Sequence, residues 1–419
     1  MPQYYLWTIG CQMNKAESAR LASFFAQRGY QATDTAEEAD IVVVNSCVVR
    51  QHAENRVINK LNALQSLKRL HPNLTIALTG CLVGTESDHL KEHFPSVDYF
   101  FKPGEHPEWL EQATCNKVLP EHSPVSTYVP IIQGCNNFCT YCIVPYRRGR
   151  EKSRPLAEIS EEVSELVQRG AREVTLLGQN VDSYGHDLPD KPDLADLLDE
   201  LNAINGLARL RFLTNHPKDM STRLIEAIAR NDKVCEQINL PVQSGSNDIL
   251  RAMRRDYTVE HYRELVAGMR GRIPGIALST DVIVGFPSES EEQYQGTVDL
   301  LAELRFDAVH VAAYSPRPGT MAARDMEDNI TAATKMRRLK SIEQLQEDIA
   351  GEINARLMGK TVEVLVEGRV KDKWQGRTRS DKLVFFSDNI DYLGQLVNVK
   401  ITRTTPWSLQ GEPEQNTLN

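Results

Sequence analysis

Short apolar segments alternate with amphipathic helical patterns along most of this 419-residue chain. In residues 1–122, the segments 4–9, 41–45 and 74–79 are rich in β-branched and aromatic residues and are predicted to be buried strands. Apolar residues at helical spacing follow the first two segments. Because strand–helix alternation produces parallel sheets with right-handed crossovers, residues 1–122 are predicted to form an α/β domain with a parallel sheet.

A second strand–helix series occupies residues 123–357. Its predicted strands are 127–132, 173–177, 209–213, 237–240, 277–284 and 308–314. Six such units predict a partial (βα)6 barrel rather than a complete eight-stranded one, with the active site at the carboxyl ends of the strands. A long helix over 331–357, with one apolar stripe, is predicted to end this domain.

The C-terminal region has a different pattern. Residues 358–405 contain short alternating strands, which predict a small β-barrel of the kind that binds oligonucleotides. This segment holds nine Lys and Arg residues against six Asp and Glu residues, although the whole chain has a net charge of −9. Residues 406–419 are predicted to be a disordered tail.

Three cysteines lie within eight residues after the first predicted strand of the barrel: Cys135, Cys139 and Cys142, spaced C-x₃-C-x₂-C. Thiolates are soft ligands that select iron–sulfur clusters, Cu(I) or zinc. Zinc loops usually supply cysteines in pairs, so three on one loop favour three corners of an iron–sulfur cubane. The fourth iron is then available to bind a substrate. The alternatives are a zinc knuckle and a chance group of buried thiols.

Three further cysteines follow the three predicted strands of the N-terminal domain. Cys11, Cys47 and Cys81 each lie within two residues of a strand's end. Parallel strands bring their carboxyl ends to one edge, where such folds bind ligands, so these cysteines are predicted to converge. The alternative is three independent buried thiols. Cys115 and Cys235 match neither set and are predicted to be structural thiols.

Cysteine usage and the absence of targeting signals indicate a cytoplasmic enzyme. Thiols stay reduced in the cytoplasm, so the eight cysteines are interpreted as metal ligands rather than disulfides. The N-terminus shows no basic region followed by an apolar stretch, and no apolar run approaches the ~18 residues of a membrane span. Five of the eight residues 147–154 are basic, which indicates an anionic partner beside the cysteine loop.

These motifs together resemble the tRNA methylthiotransferases of the radical S-adenosylmethionine (SAM) superfamily. The matching stretches are Gly10-Cys11-Gln12-Met13-Asn14, Asn45-Ser46-Cys47, Thr79-Gly80-Cys81, 134–154, Leu177-Gly178-Gln179-Asn180 and 240–246. The resemblance implies a methylthiotransferase domain (1–122), a radical SAM barrel (123–357), a TRAM RNA-binding domain (358–405) and a tail (406–419). The cysteine motifs resemble most the branch that modifies N6-dimethylallyladenosine at tRNA position 37.

The resemblance also implies the cofactors and the reaction. Two cysteine sets match the ligands of two [4Fe–4S] clusters: the SAM-binding set is Cys135, Cys139 and Cys142, and the auxiliary set is Cys11, Cys47 and Cys81. The C2–H bond of adenine is beyond side-chain acid–base chemistry, so cofactors must carry the difficult step. SAM is expected to serve as radical source and methyl donor, with a reductant protein such as flavodoxin or ferredoxin. The sulfur donor stays open.

Further contacts are assigned from position alone. The SAM contacts are predicted to be Gly178, Gln179, Asn180, Gln243 and Ser244. The contacts to the tRNA anticodon loop are predicted to be Arg147, Arg148, Arg150, Lys371, Lys373, Trp374, Arg377 and Arg379. The chain is expected to act as a monomer.

Three alternatives stay open. Sister enzymes that share all six cysteines act on N6-threonylcarbamoyladenosine of tRNA or on an aspartate of a ribosomal protein. The basic C-terminal barrel and residues 147–154 favour RNA over protein. The third alternative, a non-enzymatic zinc or nucleic-acid module, predicts a colourless protein, whereas iron–sulfur clusters absorb at about 400 nm.

Overall fold

The computed structural model describes residues 1–49, 51–84, 88–105 and 119–414, with the backbone alone for residues 88 and 89. Its N-terminal domain is built on five parallel strands in the order β2-β1-β3-β4-β5. The strands are β1 (Gln3–Thr8), β2 (Gln31–Ala32), β3 (Ile41–Ser46), β4 (Thr75–Gly80) and β5 (Tyr99–Phe100), and the helices are α1 (Gln12–Gln27), α2 (Gln51–Leu70) and α3 (Asp88–His93). Every residue of β3 is buried, as the predicted parallel sheet requires.

The central domain is the predicted partial barrel. Its strands are β6 (Ser126–Pro130), β7 (Ile132–Gln133), β8 (Lys152–Ser153), β9 (Glu173–Leu177), β10 (Arg209–Phe212), β11 (Gln237–Asn239), β12 (Ala277–Val284) and β13 (Ala308–Ala313). Two parallel three-stranded sheets, β6-β9-β10 and β11-β12-β13, are joined by a bridge between Leu210 and Val234. Strands β6 and β13 have no partner on their outer sides among the described residues, so the barrel has a gap between them.

Helices connect the strands and cover the outside of the barrel. They are α4 (Val144–Arg148), α5 (Leu156–Gln168), α6 (Leu194–Asn202), α7 (Thr222–Arg230), α8 (Asn247–Ala252), α9 (Val259–Arg272), α10 (Glu291–Leu304), α11 (Met321–Asp325) and α12 (Ala332–Ala355), with a 3-10 turn at Val181–Ser183. Side-chain caps start several of them: Ser290 and Gln293 form a capping box on α10. Among the described helices, none is both long enough and apolar enough to cross a membrane.

The C-terminal domain is a closed five-stranded barrel in the order β14-β15-β16-β18-β17. Its strands are β14 (Thr361–Val370), β15 (Lys373–Thr378), β16 (Leu383–Phe386), β17 (Leu396–Thr404) and β18 (Leu409–Pro413). The prediction of a disordered tail from residue 406 is therefore wrong through residue 413. Strand β18 pairs with both β16 and β17, which removes the two open edges that the barrel would otherwise expose. Residues 415–419 lie outside the described residues.

The C-terminal barrel docks against the amino ends of the central strands. Arg209 donates to the carbonyl of Arg377 at 2.6 Å, and Arg211 donates to the carbonyls of Thr378 (2.7 Å) and Arg379 (2.8 Å). Arg211 is also paired with buried Glu173, which compensates its charge in the interface. These contacts fix the C-terminal barrel at the amino ends of the central strands. The domain boundaries proposed from the sequence stay predictions.

Candidate active site

The SAM-binding set lies on a tight loop between β7 and α4. The antiparallel pair β7–β8 holds the two ends of this segment together, and the amide of Cys135 donates to the carbonyl of Gly149 at 3.2 Å. Gly134 adopts φ +82°, and a Cβ there would lie 2.1 Å from the Arg150 carbonyl oxygen, so only glycine fits. Gln179, a predicted SAM contact, accepts through Oε1 from the Gly134 amide at 2.6 Å and so supports this loop.

A buried arginine accompanies the SAM-binding set. Burial, together with the neighbouring thiols, raises the pKa of Cys135 to about 11 and that of Cys142 to about 12. Arg255 donates from Nη1 to the Cys139 Sγ at 3.4 Å, and its charge lowers the pKa of both Cys135 and Cys142 against that burial effect. Since cluster ligands must be thiolates, this cation favours the ligating form. The sequence patterns did not identify Arg255, which follows α8 by three residues and belongs to none of the motifs.

The auxiliary set converges as predicted. Cys11 directly precedes α1, Cys47 directly follows β3, and Cys81 directly follows β4. Burial raises the pKa of Cys81 to about 11; Arg148 lowers this pKa against the burial effect, and the neighbouring Cys47 and Cys11 raise it further. Gly10 makes room for this approach, since a Cβ there would lie 2.8 Å from the Cβ of Cys47.

Asn14 ties the loops of Cys11 and Cys47 together. Its Nδ2 donates to the carbonyls of Ile9 (2.9 Å) and Ser46 (2.8 Å), and its own carbonyl accepts from Asn45 (2.9 Å). Both asparagines are fully buried. A network with most of its donors paired holds its loops rigidly in a low-dielectric interior. Asn14 belongs to the Gly-Cys-Gln-Met-Asn motif, which explains why this residue accompanies Cys11.

Arg148, a predicted RNA contact, is instead buried against Cys81 of the auxiliary set, so it is not accessible for the predicted role. Its side chain is 2% exposed. Nε donates to the Cys81 Sγ at 3.2 Å, Nη1 to Glu17 at 2.7 Å and Nη2 to Asn14 at 2.9 Å. The guanidinium thus satisfies three acceptors of the N-terminal domain from a helix of the central one.

Each of the two sets supplies three thiols, the number that leaves one iron of a cubane without a protein ligand. Among the described residues, no three His, Cys, Asp or Glu side chains are close enough to hold one metal ion. The ligands of a cubane bind different irons, and three thiols spread around a loop or a strand edge suit that arrangement. Cys235 is buried as predicted, and Cys115 lies outside the described residues.

Unpartnered polar atoms lie at the carboxyl ends of β9 and β10. Asn180 donates to Asp219 at 2.7 Å, but its buried Oδ1 has no partner among the described residues. His216 accepts through Nδ1 from the amide of Lys218, so the neutral ring carries its proton on Nε2, a buried donor that is likewise unpartnered in the described part of the chain. Burial lowers the pKa of His216 to about 2 and keeps the ring neutral. These groups are available to a bound ligand.

The other predicted SAM contacts share this end of the barrel. Gly178 follows β9, and a Cβ there would lie 2.4 Å from the Ile132 side chain. Gln243 adopts φ +68° and bridges to Val282 of β12, and buried Ser244 accepts from the Ser246 amide at 3.2 Å. The fold therefore brings the predicted residues to one end, and their contact with SAM stays a prediction.

A cavity of about 560 Å³ lies between the central strands and the C-terminal barrel, and residues of all three domains line it. Gln12 lines it from the N-terminal domain, next to Cys11 of the auxiliary set. Thr214, Asn239 and Asp281 line it from the central strands. Trp407 lines it from the C-terminal barrel and is 61% exposed. The cavity thus runs from Gln12, the neighbour of Cys11, to an exposed aromatic side chain.

The predicted RNA contacts of the C-terminal barrel separate into two groups. Lys371 and Lys373 are exposed at the β14–β15 turn. Trp374 is 7% exposed and packs in the barrel core, so its prediction as a base-stacking residue is wrong. Arg379 is paired with Glu236 at 2.8 Å, and Arg377 is paired with Asp381 at 3.1 Å. Both arginines are partly exposed, and their contact with RNA stays a prediction.

The sequence patterns did not identify Trp407, an exposed aromatic residue of the C-terminal barrel. It lies in the turn between β17 and β18, within the segment predicted to be disordered. An exposed tryptophan between two barrel strands gives no local signal when the segment around it resembles a tail.

Near the cysteine loop, Arg150 is exposed and stacks over Phe138 with 4.4 Å to the ring centroid, whereas Arg147 is half-buried.

Three family models match the chain: the Radical SAM superfamily over residues 129–301, Uncharacterized protein family UPF0004 over residues 3–102 and the TRAM domain over residues 355–413. The chain is 60% identical to the tRNA-2-methylthio-N(6)-dimethylallyladenosine synthase of Dehalococcoides mccartyi (strain CBDB1), over 98% of both chains. It is 51% identical to the enzyme of the same name from Chloroflexus aurantiacus, over 98% of this chain and 91% of that one.

Solved structures are similar in fold. The radical S-adenosylmethionine methyltransferase TsrM from Kitasatospora setae superimposes with a TM-score of 0.56 at 15% identity, over 77% of each chain. The cobalamin-dependent S-adenosylmethionine radical enzyme OxsB gives a TM-score of 0.52 at 12% identity, over 82% of this chain and 56% of that one. At such low identity these likenesses concern the fold alone.

Proposed function

The chain belongs to the tRNA-2-methylthio-N(6)-dimethylallyladenosine synthase family, and from this premise we propose that it adds a methylthio group to C2 of N6-dimethylallyladenosine at position 37 of tRNA. The observation that carries the proposal is this cavity, which Gln12, the neighbour of Cys11, lines together with strands of the central barrel and residues of the C-terminal barrel. A base held there is enclosed by residues of all three domains, next to the loop of Cys11.

The residues present fit two [4Fe–4S] clusters and SAM. Cys135, Cys139 and Cys142 would hold the cluster that binds SAM. The auxiliary set would hold the second cluster. When bound, these cofactors supply the radical and sulfur-transfer chemistry that the unactivated C2–H bond requires.

The chain's own residues bind and orient the adenine. Because a radical reacts with whatever lies nearest, the target carbon must be held in place before the reaction starts. Adenine C2 is not reachable in a stacked anticodon loop, so the base is splayed out and enters the barrel through the gap between β6 and β13. Polar side chains of Asn239, Asp281 and Thr214 face the cavity that receives it.

The charges around the cavity favour the dimethylallyl substituent over threonylcarbamoyl. The threonylcarbamoyl group carries a carboxylate, which requires a cation. The two cations that line the cavity among the described residues are already paired, Lys382 with Asp307 at 2.8 Å and Arg377 with Asp381 at 3.1 Å. Leucine and alanine side chains of the lining suit an apolar group: Leu213, Ala277, Leu278, Ala308 and Leu383.

The proposed RNA surface combines one exposed residue of the cavity with exposed basic residues of the C-terminal barrel and the cysteine loop. It consists of Trp407, the basic pair Lys371 and Lys373, and Arg150 beside the cysteine loop. The TRAM match over residues 355–413 supports an RNA-binding role for the C-terminal barrel. A flavodoxin or ferredoxin as electron donor, a monomeric state and a cytoplasmic location complete the proposal.

The test compares anticodon stem-loops with and without the dimethylallyl group. Burial of the five-carbon substituent contributes on the order of 2–3 kcal/mol at ~0.8 kcal/mol per methylene, discounted for imperfect packing. This corresponds to one or two decades of affinity. The 2-methylthio product is measured by mass spectrometry, and the prenylated substrate is expected to be strongly preferred. Equal turnover of the unprenylated adenosine, or activity only on threonylcarbamoyladenosine, would refute the substrate assignment.

A further inference from the structure

Helix α4 connects the two cysteine sets through a very short piece of chain. It starts at Val144, two residues after Cys142 of the SAM-binding set, and ends at Arg148, which contacts Cys81 of the auxiliary set. Six residues at ~1.5 Å of helical rise each span roughly 9 Å. From the end of this segment, the side chain of Arg148 reaches the Sγ of Cys81. The arginine therefore belongs by sequence to one site and by contact to the other.

The contacts of Arg148 use its whole guanidinium. Nε donates to the Cys81 Sγ, Nη1 to Glu17 and Nη2 to Asn14, all within 3.2 Å. The planar fork of arginine fits such a set of acceptors, and a lysine cannot reproduce it. Because Glu17 compensates the charge, the cation can stay buried beside the sulfur. Asn14 in turn holds the loops of Cys11 and Cys47 through Ile9 and Ser46.

We propose that Arg148 is a positioning residue for the auxiliary cluster, which holds the Cys81 sulfur and raises the cluster's reduction potential. Hydrogen bonds to ligand sulfurs are among the factors that set the potential of an iron–sulfur cluster, and a nearby positive charge stabilises its reduced form. The inference rests on the proposed function, which supplies the cluster. It adds that Arg148, at the end of α4, links the SAM-binding loop to the auxiliary cluster.

The chain offers a matched control in Arg317. This arginine is also buried and also reaches from the central domain to the N-terminal one, where it donates to Gln51 and is paired with Glu54 of α2. Its guanidinium thus binds a carboxylate and an amide oxygen, where that of Arg148 also binds a sulfur. Arg317→Gln therefore removes an interdomain contact of the same kind without removing a bond to a cluster ligand.

The experiment isolates the auxiliary cluster in the full chain. In a Cys135→Ala/Cys139→Ala/Cys142→Ala background, the remaining iron is quantified after anaerobic reconstitution, and its midpoint potential is measured by a redox titration followed by EPR. Arg148→Gln is expected to shift the potential downward, and Arg148→Lys, which keeps the charge, by less. Arg317→Gln is expected to leave it unchanged. Far-UV circular dichroism checks that each variant is folded.

Each outcome decides the inference. If Arg148→Gln loses the iron while Arg148→Lys and Arg317→Gln keep it, Arg148 holds the ligand, as proposed. If Arg148→Gln has the potential and iron content of the background, or if Arg317→Gln shifts the potential equally, Arg148 has no specific role. If the background itself binds no iron, the proposed two-cluster function fails rather than the role of Arg148.

Discussion

The two tryptophans of the C-terminal barrel provide a sharp test of how this enzyme holds RNA. Trp407 is 61% exposed and lines the barrel cavity, whereas Trp374 is 7% exposed and packs against Tyr392 in the barrel core. Replacement of Trp407 by alanine removes a stacking surface without removing core contacts. Stacking of one base on an aromatic side chain contributes about 1–3 kcal/mol, so binding of an anticodon stem-loop is expected to weaken roughly 5- to 150-fold.

The same substitution at position 374 is expected to act through stability. Loss of a buried tryptophan costs about 3–5 kcal/mol in the free energy of unfolding. Trp407→Ala is expected to change that free energy by less than about 0.5 kcal/mol, because its side chain is mostly solvated.

The assay is fluorescence anisotropy of a labelled, prenylated stem-loop, with urea denaturation of each variant alongside. Trp407→Phe, which keeps an aromatic ring, is expected to retain most of the affinity. If Trp407→Ala binds RNA as the wild type does while remaining folded, the cavity rim is not the RNA contact. If Trp407→Ala unfolds as readily as Trp374→Ala, the exposure that underlies the prediction is wrong.

Two other substitutions test separate features. Lys371→Gln/Lys373→Gln is expected to weaken binding of the stem-loop. The slope of the logarithm of the binding constant against the logarithm of salt concentration is expected to fall by ~0.7–0.9 for each phosphate that the variant no longer neutralises. An unchanged slope would exclude this turn from the RNA surface. Arg211→Met leaves Glu173 buried without its cation and removes the bonds to Thr378 and Arg379. The free energy of unfolding measured in urea is therefore expected to fall by about 3–5 kcal/mol. A decrease below about 1 kcal/mol would mean that the C-terminal barrel is not held through Arg211.

The strands and the convergence of the cysteines could be predicted because both depend on local patterns. Buried parallel strands such as β3 appear in the sequence as continuous runs of β-branched residues. A cysteine directly after such a strand must lie at the carboxyl edge of the sheet. The topology then brings Cys11, Cys47 and Cys81 together without any knowledge of side-chain contacts.

The failures concern residues whose environment is set by distant partners. Arg148 looked like one of five basic residues on a charged turn, but its acceptors are Cys81, 67 residues away, and Glu17, 131 residues away. In α12, Met336 is exposed although it belongs to the apolar stripe. Arg338 is buried there because it pairs with Glu289. No local periodicity reports such pairs.

Strand β18 was missed for a topological reason. Its sequence, Leu409–Pro413, contains glycine, glutamate and proline and resembles a tail. It becomes a strand because β16 and β17 each offer it an unpaired edge, and closing the barrel satisfies both. Once this segment is assigned to the barrel, Trp407 is placed at the cavity.

Iron content of two complementary full-chain variants tests the central claim most directly. One variant is Cys135→Ala/Cys139→Ala/Cys142→Ala, and the other is Cys11→Ala/Cys47→Ala/Cys81→Ala. If the two sets bind separate [4Fe–4S] clusters, each variant is expected to keep about half of the wild-type iron, and only the second is expected to cleave SAM. Loss of all iron from either variant, or SAM cleavage by the first, would contradict the account of two independent three-cysteine sites.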